Sequence, residues 1–407
     1  MAANEEMTDM VDNDGGPLAG IRVLDLTRLL PGAFATALLG DLGADVLKVE
    51  QPGIGDPMRA YAPRVGDSSA FTWITDRNKR SVALNLRDPR GVEVVHRLAA
   101  EVDVVIEGFR PGVSDRLGVG YDALKAVNPA LVYVSLTGYG ASGPLVAEAG
   151  HDLNYLGRSG VLSITGVEGT PAIPGVQVAD LAGGSLMAVA GLLAALLRAQ
   201  RTGEGDHVDI SMTDGAFALL SIHLGAHFAD GVVPGAGTEL LNGAYPCYNV
   251  YACADGRRLT VGALEDPFWE TLCARVERTD LIATKLDPDA IATWRALWAT
   301  RPRDEWLALL AGHDVCVGPV NDLAEAIADP QLSQRGMVTS TEHPDLGPLR
   351  QVASPIRLRE HPASIRTPAP VLGDATRDVL GGLGYEAAEI ESLLEDGVAA
   401  APAEAAA

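Results

Sequence analysis

The sequence is short of basic residues. It holds 31 Lys and Arg against 54 Asp and Glu, which leaves a net charge of −23. Nucleic acid and anionic membranes repel so acidic a chain. Aromatic residues make up only 5% of the chain, too few for the stacking platforms that bind single-stranded nucleic acid. We therefore expect neither nucleic acid nor a membrane as a partner.

Cysteine is equally scarce. The chain has four, none in a C-x-x-C pair, which argues against a disulfide scaffold and a structural zinc site. The first 16 residues are acidic and lack the apolar core of a secretory signal. The most apolar run, Leu181–Leu197, is interrupted by glycines and is shorter than the ~20 residues of a membrane span. It predicts a buried core helix, and the whole pattern predicts a cytoplasmic protein.

Short apolar strands alternate with helices in the first third of the chain. The predicted strands are Ile21–Leu26, Asp45–Glu50, Val102–Glu107 and Leu131–Leu136, and the predicted helices are Gly32–Leu42 and Pro89–Ala100. This alternation is typical of an α/β fold with a parallel sheet covered on both faces. Ligands bind such sheets at the carboxyl ends of the strands.

The pattern changes after residue 229. Two strand patterns, Tyr245–Ala252 and Arg258–Ala263, flank an Asp-Gly turn and predict a hairpin, and short helices follow. We predict a large domain at 17–229, with a helix at Leu181–Gln200, a strand at Val208–Ile210 and a helix at Asp214–Phe228. A smaller α+β domain at 230–345 and a C-terminal segment at 346–395 with a helix at Ala375–Leu394 follow. Residues 1–16 and 396–407 are predicted to be disordered tails.

Two motifs fit known patterns only in part. The run Gly138–Gly143 matches G-x-G-x-x-G, but Pro144 follows where a helix should begin, so a tight loop is favoured over a dinucleotide site. His223 and His227 have a helical spacing that permits metal ligation, but no third ligand accompanies them, which favours a role other than metal binding.

Basic residues are concentrated between 77 and 116. This stretch contains Arg77, Lys79, Arg80, Arg87, Arg90, Arg97, Arg110 and Arg116. Because acidic residues are interspersed, the cluster could be a solvated surface. It could equally bind a phosphorylated ligand through charge-assisted hydrogen bonds, and composition leaves both readings open.

Three residues, Asp180, His151 and Glu265, are candidates for a catalytic role, although each also has an ordinary structural explanation. Asp180 precedes the apolar run, where it could cap the helix or transfer a proton. The helix dipole favours its anion, whereas burial favours its acid form. His151 follows the glycine loop, and Glu265 follows the second hairpin strand, where a helix-start charge is the ordinary role. Spacing alone does not bring these residues together.

Several blocks of the sequence, taken together, resemble the family III CoA-transferases and, within them, the α-methylacyl-CoA racemases. The shared blocks are Pro17–Leu26, Leu39–Val46, Asn78–Ser81, Leu84–Leu86, Glu107–Val113, Leu136–Gly140 and Gly203–Asp206. Gly150–Tyr155, Val178–Ser185 and Val261–Glu265 resemble the three racemase segments that carry catalytic residues. The resemblance implies His151 and Asp180 as the proton carriers and Glu265 as the partner of the histidine.

The resemblance also implies where coenzyme A would bind. The positions are Leu84, Asn85, Leu86, Arg87, Gly108, Phe109, Arg110, Arg116, Gly150, Asp152, Leu153, Asn154 and Tyr155. Two departures from the family pattern stand out. Gln51 replaces a basic residue of some racemases, and Asp266 is inserted before Pro267, where it could alter substrate choice.

The implied fold is a Rossmann-like large domain completed by the C-terminal segment, plus the smaller domain, in an interlocked homodimer. The implied reaction inverts the carbon alpha to the thioester of a 2-methyl-branched acyl-CoA, with CoA entering as part of the substrate and no metal or redox cofactor. For this reaction burial must outweigh the helix dipole at Asp180, and backbone N–H groups near Asp180–Gly183 could hold the enolate oxygen. The alternatives are a CoA-transferase with Asp180 as the nucleophile and a catalytically silent acyl-CoA-binding protein.

Overall fold

The computed structural model describes residues 16–66, 68–344 and 346–403, so most of the predicted acidic tail lies outside the described residues. The chain forms two compact units. The smaller unit consists of Leu156–Val176 and Leu220–Leu332, and the rest belongs to the larger unit. The boundaries therefore differ from the predicted 230 and 345, because residues 156–176 make their contacts within the smaller unit and residues 333–345 within the larger.

The larger unit is built on a seven-stranded sheet. Its first six strands are β1 (Arg22–Leu26), β2 (Asp45–Glu50), β3 (Lys79–Leu84), β4 (Val104–Glu107), β5 (Val132–Thr137) and β6 (His207–Ser211). They pair in parallel in the order β6-β5-β4-β1-β2-β3. The predicted α/β class with a parallel sheet is confirmed, and all six carboxyl ends lie at one edge.

Both faces of this sheet are buried, which is why its strands are continuous apolar runs. One face packs on the helices Pro89–Ala99, Thr376–Gly382 and Ala387–Glu395 through a core that includes Leu24, Val82, Val105 and Tyr133. The helix α1 (Leu29–Asp41) and the long helix that begins at Ala179 lie on the opposite face.

Two short helices and one long helix contain or adjoin the candidate residues His151 and Asp180. α2 spans Asp152–Ser159. α3 begins as a π-helix, Ala179–Leu186, and continues as an α-helix, Met187–Thr202. α4 spans Met212–Ala218. At 24 residues α3 is longer than predicted, and by length and composition alone it could cross a membrane. Here its buried residues, such as Leu192, pack against the sheet, and an added Cβ at Gly191 would meet Val208 of β6 at 2.8 Å.

Three of the predictions made for the second half of the chain are wrong in part. The single helix expected at Ala375–Leu394 is two helices, because Gly384 adopts a left-handed conformation (φ +82°) between them. The helix expected at Asp214–Phe228 is likewise divided, into α4 and Ser221–Asp230. The predicted disorder from residue 396 is wrong at Ala399–Ala400, which form the seventh strand of the sheet and pair antiparallel with β3.

The smaller unit contains the predicted hairpin. Tyr248–Ala252 pairs antiparallel with Arg258–Gly262, which also pairs with Val317–Pro319. Gly256 turns the chain with a φ of +77°. The helices Asp266–Arg275, Ile291–Trp298 and Arg303–Leu310 pack on this sheet, and their core contains four buried tryptophans, Trp269, Trp294, Trp298 and Trp306.

Shorter elements connect these parts. The further helices are Ala70–Thr75, Val113–Leu117, Tyr121–Val127, Val161–Ile164, Leu323–Ala328 and Pro330–Gln334. Short 3₁₀-helices occupy Pro57–Ala60, Leu240–Asn242, Thr279–Thr284 and Pro288–Ala290. Two-stranded hairpins join Arg64–Val65 to Ser68–Ser69, Gly166–Val167 to Thr170–Pro171, and Val338–His343 to Gly347–Val352.

Candidate active site

His151 lies at the start of α2, in a loop that its own neighbours hold in place. The backbone N–H of His151 donates to Oδ1 of Asn154 at 3.0 Å, and the Tyr155 hydroxyl donates to the carbonyl of Gly150 at 2.6 Å. The two side chains therefore fix the backbone on either side of the histidine. His151 itself is exposed, so it is available to a ligand.

The glycine loop before His151 gives Tyr155 its place. A Cβ added at Gly138 would lie 2.5 Å from the Tyr155 ring, and one at Gly150 would lie 2.6 Å from it. Gly140 and Gly143 turn the chain with positive φ values of +83° and +93°. The predicted tight loop is confirmed, and its glycines serve the approach of the Tyr155 ring.

Asp180 lies in the first turn of the π-helix of α3, and close packing explains the glycines that follow it. A Cβ at Gly215 of α4 would meet the carbonyl oxygen of Gly183 at 1.9 Å. Ser185 Oγ donates to the carbonyl of Pro31 at 2.6 Å and to that of Asp180 at 3.0 Å. The Ala-Asp-Leu-Ala-Gly-Gly-Ser run thus builds the helix start between α1 and α4. π-Turns of this kind occur frequently at functional sites.

The carboxyl group of Asp180 is half-buried. Its pKa is raised to about 7, first by burial and then by the negative charge of Asp152. The direction of this shift agrees with the expectation that Asp180 is not held as an anion by the start of its helix. A carboxyl group with a pKa near 7 can both give and take a proton at neutral pH.

Asp152, rather than Asp180, caps the helix. Its Oδ1 accepts the N–H groups of Ala179 at 2.7 Å and Asp180 at 3.0 Å. The N–H of Leu181 donates to the carbonyl of Gln177 at 2.9 Å. Two of the N–H groups expected to hold an enolate oxygen, those of Asp180 and Leu181, are therefore already engaged, and that expectation is wrong for them.

Glu265 belongs to the smaller unit, where it is the exposed residue before the helix Asp266–Arg275. Its carboxylate makes no capping hydrogen bond, so it acts on the helix start through its charge alone. The inserted Asp266 forms an ion pair with Lys285, whose Nζ also donates to the carbonyl of Leu264 at 3.0 Å. Asp266 therefore has a local cationic partner, which also steadies the turn that carries Glu265.

The structure divides the basic cluster of residues 77–116 into two groups. Five members form ion pairs within the larger unit: Arg77 with Asp41, Lys79 with Asp76, Arg80 with Asp45, Arg90 with Asp88, and Arg97 with Glu93. The side chains of Arg87, Arg110 and Arg116 are exposed and have no ion pair or hydrogen bond with the described residues. These three remain available to an anion.

Two of the available arginines, Arg87 and Arg110, come shortly after strands that end at the carboxyl edge of the sheet. Arg87 follows β3, and Arg110 follows β4. Arg110 lies within electrostatic reach of Tyr155, because its charge lowers the pKa of a phenol that burial and Asp180 raise to about 12. Two strands lie between β3 and β4, so Arg87 and Arg110 are separated by roughly 14 Å across the sheet.

Comparison with known proteins decides the family. The sequence model of CoA-transferase family III matches residues 18–376. The chain belongs to this family. It is 35% identical to the succinyl-CoA:glutarate CoA-transferase of Mus musculus, over 94% of this chain and 90% of that protein. It is 34% identical to the alpha-methylacyl-CoA racemase of Homo sapiens, over 93% of this chain and 96% of that protein.

A solved structure gives the same assignment. The CAIB/BAIF family protein from Brucella suis superposes with a TM-score of 0.80 at 32% identity, covering 90% of this chain and 99% of that one. Family III therefore accounts for both the fold and the sequence blocks. It contains transferases and racemases at nearly equal identity to this chain, so membership alone does not choose between the two reactions.

The residues that the family resemblance implies for CoA binding differ from one another in burial and contacts. Leu84 belongs to the core, and Leu86 and Phe109 pack against that core. Asn85 Oδ1 accepts the N–H of Arg87 at 3.1 Å. Gly108 is exposed beyond the end of β4, and Leu153 is exposed on α2. The apolar members thus shape the sheet edge, while the polar and exposed members border it.

Two residues near the site had no role assigned from the sequence. Glu107, at the end of β4, accepts the N–H of Phe109 at 2.7 Å, and burial raises its pKa to about 7. It therefore fixes the segment that leads to Arg110. Arg28, after β1, lies over the Phe109 ring at 5.5 Å from the ring centroid. Only their position at strand ends could have singled them out, because neither belongs to a charge pattern.

Proposed function

We propose that this family III protein is an α-methylacyl-CoA racemase, which inverts the alpha carbon of 2-methyl-branched acyl-CoA thioesters. The observation that carries the proposal is the state of Asp180: its pKa lies near 7 and it has no ion pair with the described residues. His151 supports it, because this histidine directly precedes Asp152, which bonds to the helix start of Asp180.

In the proposed reaction, His151 and Asp180 act on opposite faces of the alpha carbon. One removes the alpha proton, and the electrons of that C–H bond move to the thioester oxygen to form an enolate. The other then donates its own proton to the opposite face, and the carbonyl re-forms. The roles exchange with the other enantiomer, and the best pKa for such a group lies near the working pH. All protons are carried by side chains, so the proposal includes no metal or redox cofactor.

Glu265 is proposed to partner His151. A carboxylate bonded to an imidazole fixes its tautomer and stabilises the imidazolium that forms when it takes a proton. Since the two residues lie in different units, we propose that the contact is made between subunits of an interlocked homodimer. Mixed dimers refolded from inactive His151→Ala and inactive Glu265→Gln chains should then regain part of the activity. No recovery would refute the shared site.

The CoA portion of the substrate is proposed to lie along the carboxyl edge of the sheet. Arg87, Arg110 and Arg116 supply the charge-assisted donors that phosphate groups require, and the separation of Arg87 from Arg110 suits an extended ligand. Gln51, which follows β2, is uncharged and therefore provides no cation for a CoA phosphate group.

A CoA-transferase is the second candidate. It is favoured by the relatives, since the succinyl-CoA:glutarate CoA-transferase of Mus musculus is as similar to this chain as the racemase. In that reaction the Asp180 carboxylate attacks the thioester carbon and the CoA thiolate leaves. The thiolate then attacks the aspartyl carbonyl of this anhydride, which releases the first acid and leaves an aspartyl-CoA. The acceptor carboxylate displaces the thiolate to form a second anhydride, and the thiolate attacks the acceptor carbonyl, which yields the new acyl-CoA and restores the Asp180 carboxylate. A carboxyl group must be ionised to act as a nucleophile. With a pKa near 7, only about half of the Asp180 carboxyl groups are ionised at neutral pH.

One experiment separates these reactions. A single enantiomer of a 2-methylacyl-CoA is incubated with the protein in D2O without any acceptor acid. We expect deuterium at the alpha carbon together with loss of optical purity. A protein that exchanges nothing alone but transfers CoA to an added acid is a transferase. Hydroxylamine should then displace CoA from the aspartyl-CoA and leave a hydroxamate at Asp180. A protein that binds acyl-CoA and does neither is a silent binder.

A further inference from the structure

The helix that carries Asp180 receives its cap from another helix. Asp152 stands at the start of α2, and its Oδ1 accepts two N–H groups at the start of α3, from Ala179 at 2.7 Å and Asp180 at 3.0 Å. The first N–H groups of any helix have no acceptor within the helix. One carboxylate oxygen satisfies two of them here.

This contact ties the two proposed proton carriers to each other. His151 and Asp152 are neighbours in the chain, and Asn154 and Tyr155 fix the backbone around them. On the other side, the bonded N–H group is that of Asp180 itself. A displacement of the Asp152 carboxylate would therefore change the distance between His151 and Asp180. Proton transfer tolerates little such displacement.

We propose that Asp152 is a positioning residue for Asp180, which anchors the first turn of its helix and keeps a fixed negative charge beside its carboxyl group. The inference rests on the proposed racemase function for its kinetic consequences, but not for its electrostatic ones.

The charge of Asp152 opposes the field of the helix it caps. A helix N-terminus favours the anion of a nearby acid, which would lower the pKa of Asp180. Asp152 compensates this positive end and raises that pKa, as the second cause after burial. A neutral acceptor in its place would keep the hydrogen bonds but would leave the helix dipole unopposed.

Other charges around Asp180 do not take this role. Besides Asp152, the titratable groups on α2 and on the elements packed against the π-helix are Tyr155, Arg158, Asp41, Asp214, Tyr133, His207, Asp209, Arg198 and Arg201. Asp41 is paired with Arg77, Asp209 bonds to the N–H of Ala141, and His207 bonds to Ser135. Among the described residues, Asp152 is the charge that shifts the pKa of Asp180.

Two variants separate the anchor from the charge. Asp152→Asn keeps an acceptor oxygen and removes the charge, whereas Asp152→Ala removes both. For Asp152→Asn we expect the bell-shaped pH profile of kcat/KM for alpha-proton exchange to shift by at least about half a pH unit to lower pH, with kcat at the optimum within about fivefold of wild type. For Asp152→Ala we expect the same shift of the pH profile and, in addition, a fall in kcat of at least about tenfold.

The matched control is Asp209→Asn. Asp209 also accepts a backbone N–H, that of Ala141 at 3.1 Å, but it does not act on Asp180. Its pH profile should coincide with that of the wild type. Far-UV circular dichroism and the melting temperature establish that each variant is folded.

A measurement independent of activity separates this inference from the proposed function. The pKa of Asp180 is followed by NMR in protein labelled with carboxyl-13C aspartate, and the Asp180→Asn spectrum assigns the resonance. A lower pKa in Asp152→Asn supports the inference even if the wild type exchanges no alpha proton, in which case only the racemase proposal fails. An unchanged pKa, or an unchanged pH profile together with full kcat in Asp152→Ala, overturns the inference.

Discussion

Two aspartates of the larger unit, one fully buried and one half-buried, have pKa values shifted in opposite directions. Asp76 is 1% exposed. Burial alone would raise its pKa, but Lys48 and Lys79 lower it to about 2. Lys79 Nζ donates to Asp76 at 2.8 Å, and Lys48 Nζ lies 3.7 Å from it. Asp180 is half-buried and has an anion, Asp152, as its neighbour, and its pKa is raised to about 7.

The comparison shows that the partner, more than burial, decides what a buried carboxyl group can do. A carboxylate held between two lysines is fixed in its charged form and can only stabilise the fold. A carboxyl group that has no cationic partner retains a proton that it can exchange near neutral pH. The same division separates the unpaired Arg87, Arg110 and Arg116 from the five basic residues that have ion-pair partners, Arg77, Lys79, Arg80, Arg90 and Arg97.

The largest expected effect is on catalysis. Asp180→Asn removes a proton carrier but keeps its shape, so alpha-proton exchange should fall by about 10²- to 10⁴-fold, while the melting temperature stays the same or rises. Deuterium incorporation into a 2-methylacyl-CoA measures the rate. If the variant retains more than a tenth of the wild-type rate, Asp180 is not the proton carrier.

The next effect is on stability. Asp76→Asn leaves Lys48 and Lys79 buried with one anion fewer, and the free energy of unfolding should fall by about 3–5 kcal/mol. Urea denaturation followed by circular dichroism measures it. The control is Asp45→Asn, whose ion pair with Arg80 is partly exposed and should cost at most about 1 kcal/mol. Equal losses in both variants would contradict the contrast.

The third effect is on substrate binding. Arg110→Ala and Arg116→Ala should each weaken acyl-CoA binding, because a charge-assisted hydrogen bond contributes about 1.5–3 kcal/mol, or about 10- to 150-fold in Kd. Isothermal titration at low salt measures it. Arg97→Ala removes an arginine already paired with Glu93 and serves as the control. Unchanged affinity in all three variants would make the unpaired arginines ordinary surface.

The smallest expected effect is on the pH dependence of stability. The folded protein holds the Asp180 proton up to about pH 7, whereas an unfolded chain releases it near the ordinary value of 3.8. Since the folded state binds more protons in this window, ionisation of Asp180 lowers stability as the pH rises from about 4 to about 7.

The melting temperature of Asp180→Asn relative to wild type should therefore increase from pH 5 to pH 8. Asp76 contributes in the opposite sense, because its stabilisation is present above about pH 4 and is lost as the pH falls towards 2. A melting-temperature difference between Asp180→Asn and wild type that is independent of pH would mean that Asp180 ionises normally.

The sequence by itself determined the parallel sheet, because strands buried on both faces must be continuous apolar runs, and β1, β2, β4 and β5 show them. It also determined the family, since blocks such as Pro17–Leu26, Leu39–Val46 and Glu107–Val113 are local stretches of sequence. It missed the last strand, Ala399–Ala400, because a run of small residues has no pattern of its own and becomes a strand only beside β3.

Only the tertiary structure decided which charges are free to act. Sequence spacing cannot show that Asp41 lies against Arg77, or that Asp152 reaches a helix 27 residues further along the chain. Electrostatic energies depend on distance and burial in space, and neither follows from separation along the chain. Asp152 could thus be recognised from the sequence as part of a motif, but its bond to the Asp180 helix could not.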